Sequence, residues 1–123
     1  MKAFILFFSL FISLTGYAGD DLSNTKIEEF HKMINKKEAV GLDVRSSVEV
    51  KLFEANGSVH IPVGDLEERM GELDKSKTIL VFCESGGRAG SAKNLLSSKG
   101  FKNVINVKDW RTWRKIRDAS PKK

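Results

Sequence analysis

The sequence predicts an α/β domain: a small parallel sheet with helices on both of its faces. Short β-branched and aliphatic runs alternate with stretches whose apolar residues recur at helical spacing, and this alternation is typical of parallel strands joined by helices. The chain of 123 residues has room for one domain. Neither an internal repeat nor a linker to a second domain is visible in the sequence.

The first elements are indicated by capping residues and by apolar spacing. A helix capped by Asn24 or Thr25 is expected first, and a short buried strand over residues 39–45 follows it. Ser46 and Glu49 have the spacing of a capping box, which predicts a short second helix. The apolar residues of the first helix should face the core, namely Ile27, Phe30, Met33 and Ile34.

The remaining elements continue the alternation of strands and helices to the end of the chain. In order, they are a strand over 59–62, a helix from Asp65, a strand over 78–82, a helix that ends at Gly100, a strand over 104–107 and a helix that starts with Trp110 and Trp113. We expect the two tryptophans to cover one edge of the core.

The chemistry of this chain is concentrated where the strand over residues 78–82 ends. That strand leads directly to Cys83, the only cysteine in the sequence, and Gly86, Gly87 and Arg88 follow it. Backbone N–H groups of a short glycine-rich loop can point inward, and the N-terminus of the next helix adds partial positive charge. Both effects favour a thiolate. The sequence therefore predicts an anionic sulfur nucleophile in an anion-binding cradle.

Other polar residues are predicted to be structural. Asp43 and Arg45 follow the first strand and are expected to pair locally, although a catalytic carboxylate at Asp43 is an alternative. His31 has no second ligand at metal-binding spacing, so we predict no metal site. His60 is expected to be structural, with a catalytic base as the alternative.

The N-terminal residues resemble a secretion signal. A basic start at Lys2 precedes an apolar stretch over 3–14 that is too short to span a membrane comfortably. Small residues end at Ala18, after which we predict cleavage. The mature domain is then residues 19–123, in the periplasm or secreted. An uncleaved N-terminal anchor is the alternative. A single cysteine in an exported protein cannot form an internal disulfide, which favours a reactive role.

The net charge of +5 is concentrated at the C-terminus. Residues 108–123 contain seven Lys or Arg and two Asp. Such a basic tail is compatible with nucleic acid or an anionic membrane surface. The simpler interpretation is a solvated helix, so we expect no nucleic-acid partner and no membrane insertion once the signal is removed.

Four motifs, in order and with the right spacing, resemble the rhodanese (sulfurtransferase) family over about residues 25–113. The exported single-domain layout is similar to periplasmic rhodaneses of the phage-shock type. The motifs are Leu42-Asp43-Val44-Arg45, Gly57-Ser58-Val59-His60-Ile61-Pro62, Cys83-Glu84-Ser85-Gly86-Gly87-Arg88-Ala89 and Lys99-Gly100-Phe101-Lys102-Asn103-Val104.

The resemblance implies a persulfide mechanism. Cys83 would attack the outer sulfur of thiosulfate, release sulfite and pass the sulfur to cyanide or a thiol. Backbone N–H groups of the loop would form the cradle (Glu84, Ser85, Gly86, Gly87 and Arg88), and Arg88 would hold the anionic donor. The resemblance implies no metal or organic cofactor, and we expect a monomer that acts on small molecules.

The sequence departs from the family pattern in the loop after Cys83 and near the start of the final helix. Glu84 stands where an arginine is common, and its carboxylate would oppose thiolate formation and repel an anionic donor. Lys108 and Asp109 replace a glycine pair that is usual near the start of the final helix.

Alternative functions from other classes remain open at this point. A cysteine phosphatase or arsenate reductase also uses a cysteine, a backbone cradle and an arginine, but usually with five residues between the two side chains, whereas Cys83 and Arg88 enclose four. A non-catalytic persulfide carrier or binding module would use the same loop. A thioredoxin-like oxidoreductase is disfavoured, because a second cysteine to resolve a mixed disulfide is missing.

Overall fold

The computed structural model describes residues 22–120. The predicted signal over 1–18 and the last three residues lie outside this range. Within it, no helix is both long enough and apolar enough to cross a membrane.

Strands and helices alternate through the described residues, which confirms the predicted α/β class. The helices are α1 (Asn24–Asn35), α2 (Ser47–Leu52), α3 (Leu66–Arg69), α4 (Gly87–Ser98) and α5 (Trp110–Asp118). The strands are β1 (Ala39–Asp43), β2 (Val59–His60), β3 (Thr78–Cys83) and β4 (Val104–Asp109). Short 3₁₀ turns flank α3 at Val63–Asp65 and Met70–Glu72.

The four strands form one parallel sheet in the order β2-β1-β3-β4. Every residue of β3 is buried, as expected for a central strand covered on both faces. An irregularity in the pairing of β3 with β4 follows Val81, so that Phe82 lies opposite Lys108 and Cys83 opposite Asp109. The ends of β1, β3 and β4 therefore meet at one edge of the sheet.

Each face of the sheet is covered by its own apolar cluster. One cluster joins α4 to β1 and β3 through Ala89, Ala92, Leu96, Leu42 and Val81. The other joins α1 and α5 to the opposite face, and its largest members are Phe30, Phe82, Trp110 and Trp113. The predicted apolar face of α1 and the covering role of the two tryptophans are confirmed.

The capping box is confirmed, whereas some predicted element boundaries are wrong. The Ser46 hydroxyl accepts the Glu49 N–H, and the Glu49 carboxylate accepts the Ser46 N–H. The cap of α1 is Ser23, whose Oγ accepts the Lys26 N–H at 3.2 Å, rather than Asn24 or Thr25, which are helical.

The predicted strand over 39–45 ends at Asp43, where the chain turns at the carboxyl edge of the sheet. The helix from Asp65 keeps only one α-helical turn between its two 3₁₀ turns.

The predicted structural pairing of Asp43 and Arg45 is observed. Both side chains are buried, and Arg45 donates from Nη2 and Nε to the carboxylate at 2.7 and 2.9 Å. Arg45 Nη1 has no hydrogen-bond partner within residues 22–120, and the guanidinium lies 5.6 Å from the centre of the Trp110 ring. This pair joins the end of β1 to the start of α5.

Gly41 provides a sharp test of the packing between β1 and α5. A Cβ added there would lie 2.5 Å from two carbon atoms of the Trp113 ring, which stacks on Phe82. We expect Gly41→Ala to lower the free energy of unfolding by about 1–3 kcal/mol, because overpacking forces the ring to move. Urea denaturation measures the change. Gly71→Ala is the control, since a Cβ there meets nothing within 4 Å; equal losses in the two variants would contradict this packing.

Candidate functional site

Cys83 is buried at the end of β3, and the loop after it wraps around the sulfur. The Gly86 N–H donates to Cys83 Sγ at 3.0 Å. The N–H groups of Ser85, Gly87 and Arg88 have no acceptor in the part of the chain that the structure describes. Free donors of this kind are typical of a helix N-terminus, and α4 begins at Gly87. The loop therefore presents positive backbone dipoles beside the Cys83 sulfur.

Gly86 has a backbone that a side chain would strain. Its φ is +103°, in the left-handed region, where it forms the N-cap of α4. A Cβ at this position would lie 3.2 Å from Lys108 Cγ. The Gly86 carbonyl accepts from Asn106 Nδ2 at 3.1 Å, so β4 anchors the loop. Glycine is required here for both its conformation and its small size.

Arg88 forms an ion pair that the sequence did not predict. Its Nη1 and Nη2 donate to the two carboxylate oxygens of Glu49 at 2.6 and 2.8 Å. The hydrogen bonds from Arg88 lower the pKa of Glu49 to about 2, and the same contact raises the pKa of Arg88. The guanidinium is thus held beside the loop, with its charge balanced by the capping carboxylate of α2.

The Glu84 carboxylate is likewise paired, at the start of α5. Oε2 accepts from Arg111 at 2.7 Å, and Oε1 accepts from the Trp110 indole N–H at 2.9 Å. These bonds, first that from Arg111 and then that from Trp110, lower the pKa of Glu84. The sequence predicted that Glu84 repels a donor anion, but the positive charge of Arg111 offsets the charge of this carboxylate.

Lys108 adopts a rare backbone conformation beside the loop. Its φ is +82°, in the left-handed region, which costs a lysine roughly 1–2 kcal/mol. The irregular pairing of β3 and β4 produces this conformation, and the Lys108 N–H is held by Asn106 Oδ1 at 2.8 Å. Its side chain packs against Gly86. This is the position where the sequence departs from a usual glycine.

The two histidines have structural partners, as the sequence predicted. His60 Nε2 donates to the Arg45 carbonyl at 2.8 Å, and His31 Nδ1 donates to the Ile116 carbonyl at 2.8 Å. Among residues 22–120, no group of three or more His, Cys, Asp or Glu side chains is arranged to hold a metal ion.

An apolar surface lies next to Glu49 on α2. Val48, Leu52 and Phe53 are large apolar residues that expose 67%, 69% and 50% of their surface. The Phe53 ring stacks on Trp110 with 5.1 Å between ring centres. The apolar surface of α2 and the start of α5 therefore adjoin.

The Arg88–Glu49 pair predicts a specific dependence of stability on pH. A carboxyl whose pKa falls from 4.5 to about 2 on folding stabilises the protein above pH 4.5, and this stabilisation is lost as the pH falls through 2. Because both side chains are partly solvated, we expect a loss of about 1 kcal/mol.

Urea denaturation between pH 5 and pH 2 measures this loss. Glu49→Gln should unfold with a correspondingly flatter pH dependence, because it has no carboxyl to protonate. Glu68→Gln, which removes an exposed carboxyl with no ion pair in residues 22–120, should keep the wild-type slope. Identical slopes in all three proteins would contradict the role given to this pair.

Comparison with known proteins agrees with this geometry. The family model for the rhodanese-like domain matches residues 26–115. A putative sulfur carrier protein of Bacillus subtilis, YrkF, is 37% identical over 89 residues, which are 68% of this chain and 48% of that protein. The chain thus spans about half the length of that relative.

Two further proteins are similar in sequence or in structure. The thiosulfate sulfurtransferase PspE of Escherichia coli is 33% identical over 68 residues, which cover 54% of this chain and 65% of that protein. A solved structure of a rhodanese with anions from E. coli is 29% identical, with a TM-score of 0.56, and covers 60% of this chain and 89% of its own.

Proposed function

The chain belongs to the family of rhodanese-like domains, and from that premise we propose that it is a thiosulfate sulfurtransferase. It would move a sulfane sulfur from thiosulfate, or a related donor, to a thiophilic acceptor such as cyanide or a thiol. The observation that carries the proposal is the position of Cys83 Sγ, at the end of β3 and within 3.0 Å of the Gly86 N–H.

The reaction has two displacement steps at sulfur. In the first, the Cys83 thiolate forms a bond to the outer sulfur of thiosulfate, the sulfur–sulfur bond of thiosulfate breaks, and its electron pair leaves with sulfite. In the second, the acceptor attacks the terminal sulfur of the Cys83 persulfide, and the electron pair of the broken bond returns to Cys83 as thiolate. No net oxidation or reduction of the protein occurs.

The loop supports both anionic forms of the site. The Gly86 N–H donates to the sulfur, and the free N–H groups of Ser85, Gly87 and Arg88 are available to a terminal sulfur or to the oxygens of the donor. Positive backbone dipoles fixed before the reaction stabilise negative charge without reorganising. Arg88 can donate its remaining N–H groups to the donor while Glu49 holds the other two.

Loss of the sulfur nucleophile is the first test. We expect intact-mass analysis of the wild-type protein, after incubation with thiosulfate, to show a gain of one sulfur atom that cyanide removes. Cys83→Ser should show no gain, because the serine hydroxyl has no sulfur atom with which to form a persulfide. Thiosulfate:cyanide turnover in Cys83→Ser, or wild-type protein that never gains sulfur, would overturn the proposed function.

The second test separates the charge of Arg88 from the charge of Glu49. Arg88→Ala removes a charge-assisted donor and leaves an unpaired carboxylate, so the KM for thiosulfate should rise by roughly ten- to a hundred-fold. The double variant Arg88→Ala/Glu49→Gln also lacks the negative charge of Glu49. We expect its KM for thiosulfate to lie between those of the wild type and Arg88→Ala.

Steady-state rates with thiosulfate measure both effects, and circular dichroism checks that each variant is folded. Glu49→Gln alone is the third corner of the cycle. An unchanged KM in Arg88→Ala would remove Arg88 from donor binding, and an identical KM in the single and double variants would show that Glu49 exerts no repulsion.

A persulfide carrier is the second candidate function. It is favoured by the exposed apolar residues Val48, Leu52 and Phe53 beside the site, since an exposed apolar surface of this kind is typical of contact with another protein. In the mass experiment, a carrier would gain sulfur but release it slowly to cyanide or to small thiols. The phosphatase alternative finds no support in the family match.

The site of action is also part of the proposal. On the strength of residues 1–18 and the single cysteine, we propose that the mature domain works in the periplasm or outside the cell. The proposal also includes a monomer that binds no nucleic acid and is not stably inserted in a membrane.

A further inference from the structure

The cations around the site differ in whether their charge is already balanced. Arg88 is paired with Glu49, Arg111 with Glu84, and Arg45 with Asp43. Each pair has an N–O distance of 2.6–2.7 Å. Arg45 is buried, so a donor anion that approaches Cys83 meets the guanidinium groups of Arg88 and Arg111, both of which already have carboxylate partners.

Lys108 is the basic residue next to the loop that lacks such a partner. It is exposed and makes no ion pair within residues 22–120. Its Cγ lies 3.2 Å, and its Cα 3.7 Å, from the point where a Cβ of Gly86 would stand. Gly86 is the residue whose N–H reaches Cys83 Sγ. The lysine side chain thus emerges against the loop that encloses the sulfur.

The backbone holds Lys108 in this position at a cost to the fold. The left-handed φ of +82° is one that lysine rarely adopts, and the Asn106 side chain links Lys108 to the loop. The Asn106 side chain accepts the Lys108 N–H through Oδ1 and donates to the Gly86 carbonyl through Nδ2. Strain of this kind persists where the surrounding structure imposes it, and it is concentrated at functional sites.

From these observations we infer that Lys108 is a donor-binding residue, whose unbalanced ammonium charge attracts and holds the oxygens of an anionic sulfur donor at the mouth of the Cys83 loop. The inference rests on the proposed function, and it explains why the Cys83 site would select anionic over neutral donors. Lys108 supplies the net charge, whereas Arg88 supplies directed hydrogen bonds from a pair that is neutral overall.

Alkylation of Cys83 tests this charge without any sulfur transfer. Iodoacetate is anionic and iodoacetamide is neutral, and both react with the same thiolate. The ratio of their rate constants therefore reports the electrostatic field at the sulfur and cancels changes in thiolate population. We expect this ratio to fall by about three- to ten-fold in Lys108→Gln at low ionic strength, and the difference to shrink as salt is added.

Matched variants separate charge from structure. Lys108→Arg should keep the wild-type ratio, because the charge is retained. Lys102→Gln removes one lysine charge just before β4, at the opposite end of that strand from Lys108. This variant should also keep the wild-type ratio. Lys108→Gly should become more stable to urea, as the backbone strain is relieved, while its ratio falls as in Lys108→Gln. A purely structural lysine would not combine these opposite changes.

The KM for thiosulfate should follow the same order, with an increase of about three- to ten-fold in Lys108→Gln and Lys108→Gly and little change in Lys108→Arg. An alkylation ratio and a KM that are both unchanged in Lys108→Gln would overturn the inference. If the wild-type protein fails to take sulfur from thiosulfate but its alkylation ratio still depends on Lys108, the proposed function fails while the anion-attracting role of Lys108 stands.

Discussion

At Gly86 the chain has to turn from the end of β3 into α4 while its N–H stays within 3.0 Å of Cys83 Sγ. A left-handed backbone satisfies both demands, and a residue with a Cβ would meet Lys108 from β4. The short turn also places the N-terminus of α4 next to the residue whose N–H reaches the sulfur. The remaining features of the site depend on this turn, because Arg88 and Glu84 take their positions from the two ends of the loop.

Charge around the sulfur is arranged in pairs that join separate elements. Arg88 of α4 pairs with Glu49 of α2, and Glu84 of the loop pairs with Arg111 of α5. Each pair is partly solvated, so its contribution to stability is modest. Its larger effect is geometric, since two helices and the loop are held at fixed distances from Cys83. The field at the sulfur then depends on backbone dipoles and on whichever charge is left unbalanced.

Trp110 connects the site with the core on the other face of the sheet. Its indole N–H donates to Glu84, its ring stacks on Phe53, and the guanidinium groups of Arg111 and Arg114 lie 4.5 and 4.7 Å from the ring centre. Such cation–π contacts add to the apolar packing of a buried ring. Trp110 therefore contacts the loop after Cys83, the residue that follows α2, and two arginines of α5.

Local patterns in the sequence determined the α/β class, the apolar faces of the helices and the position of Cys83 at the end of a buried strand, because helical and strand periodicity are properties of neighbouring residues. The pairing of Arg88 with Glu49 could not be predicted this way, since 39 residues separate them and only the order of β1 and β3 in the sheet brings α2 and α4 together. The same holds for Glu84 and Arg111, 27 residues apart. Spacing along the chain carries no information on such contacts; the tertiary fold decided which charges meet.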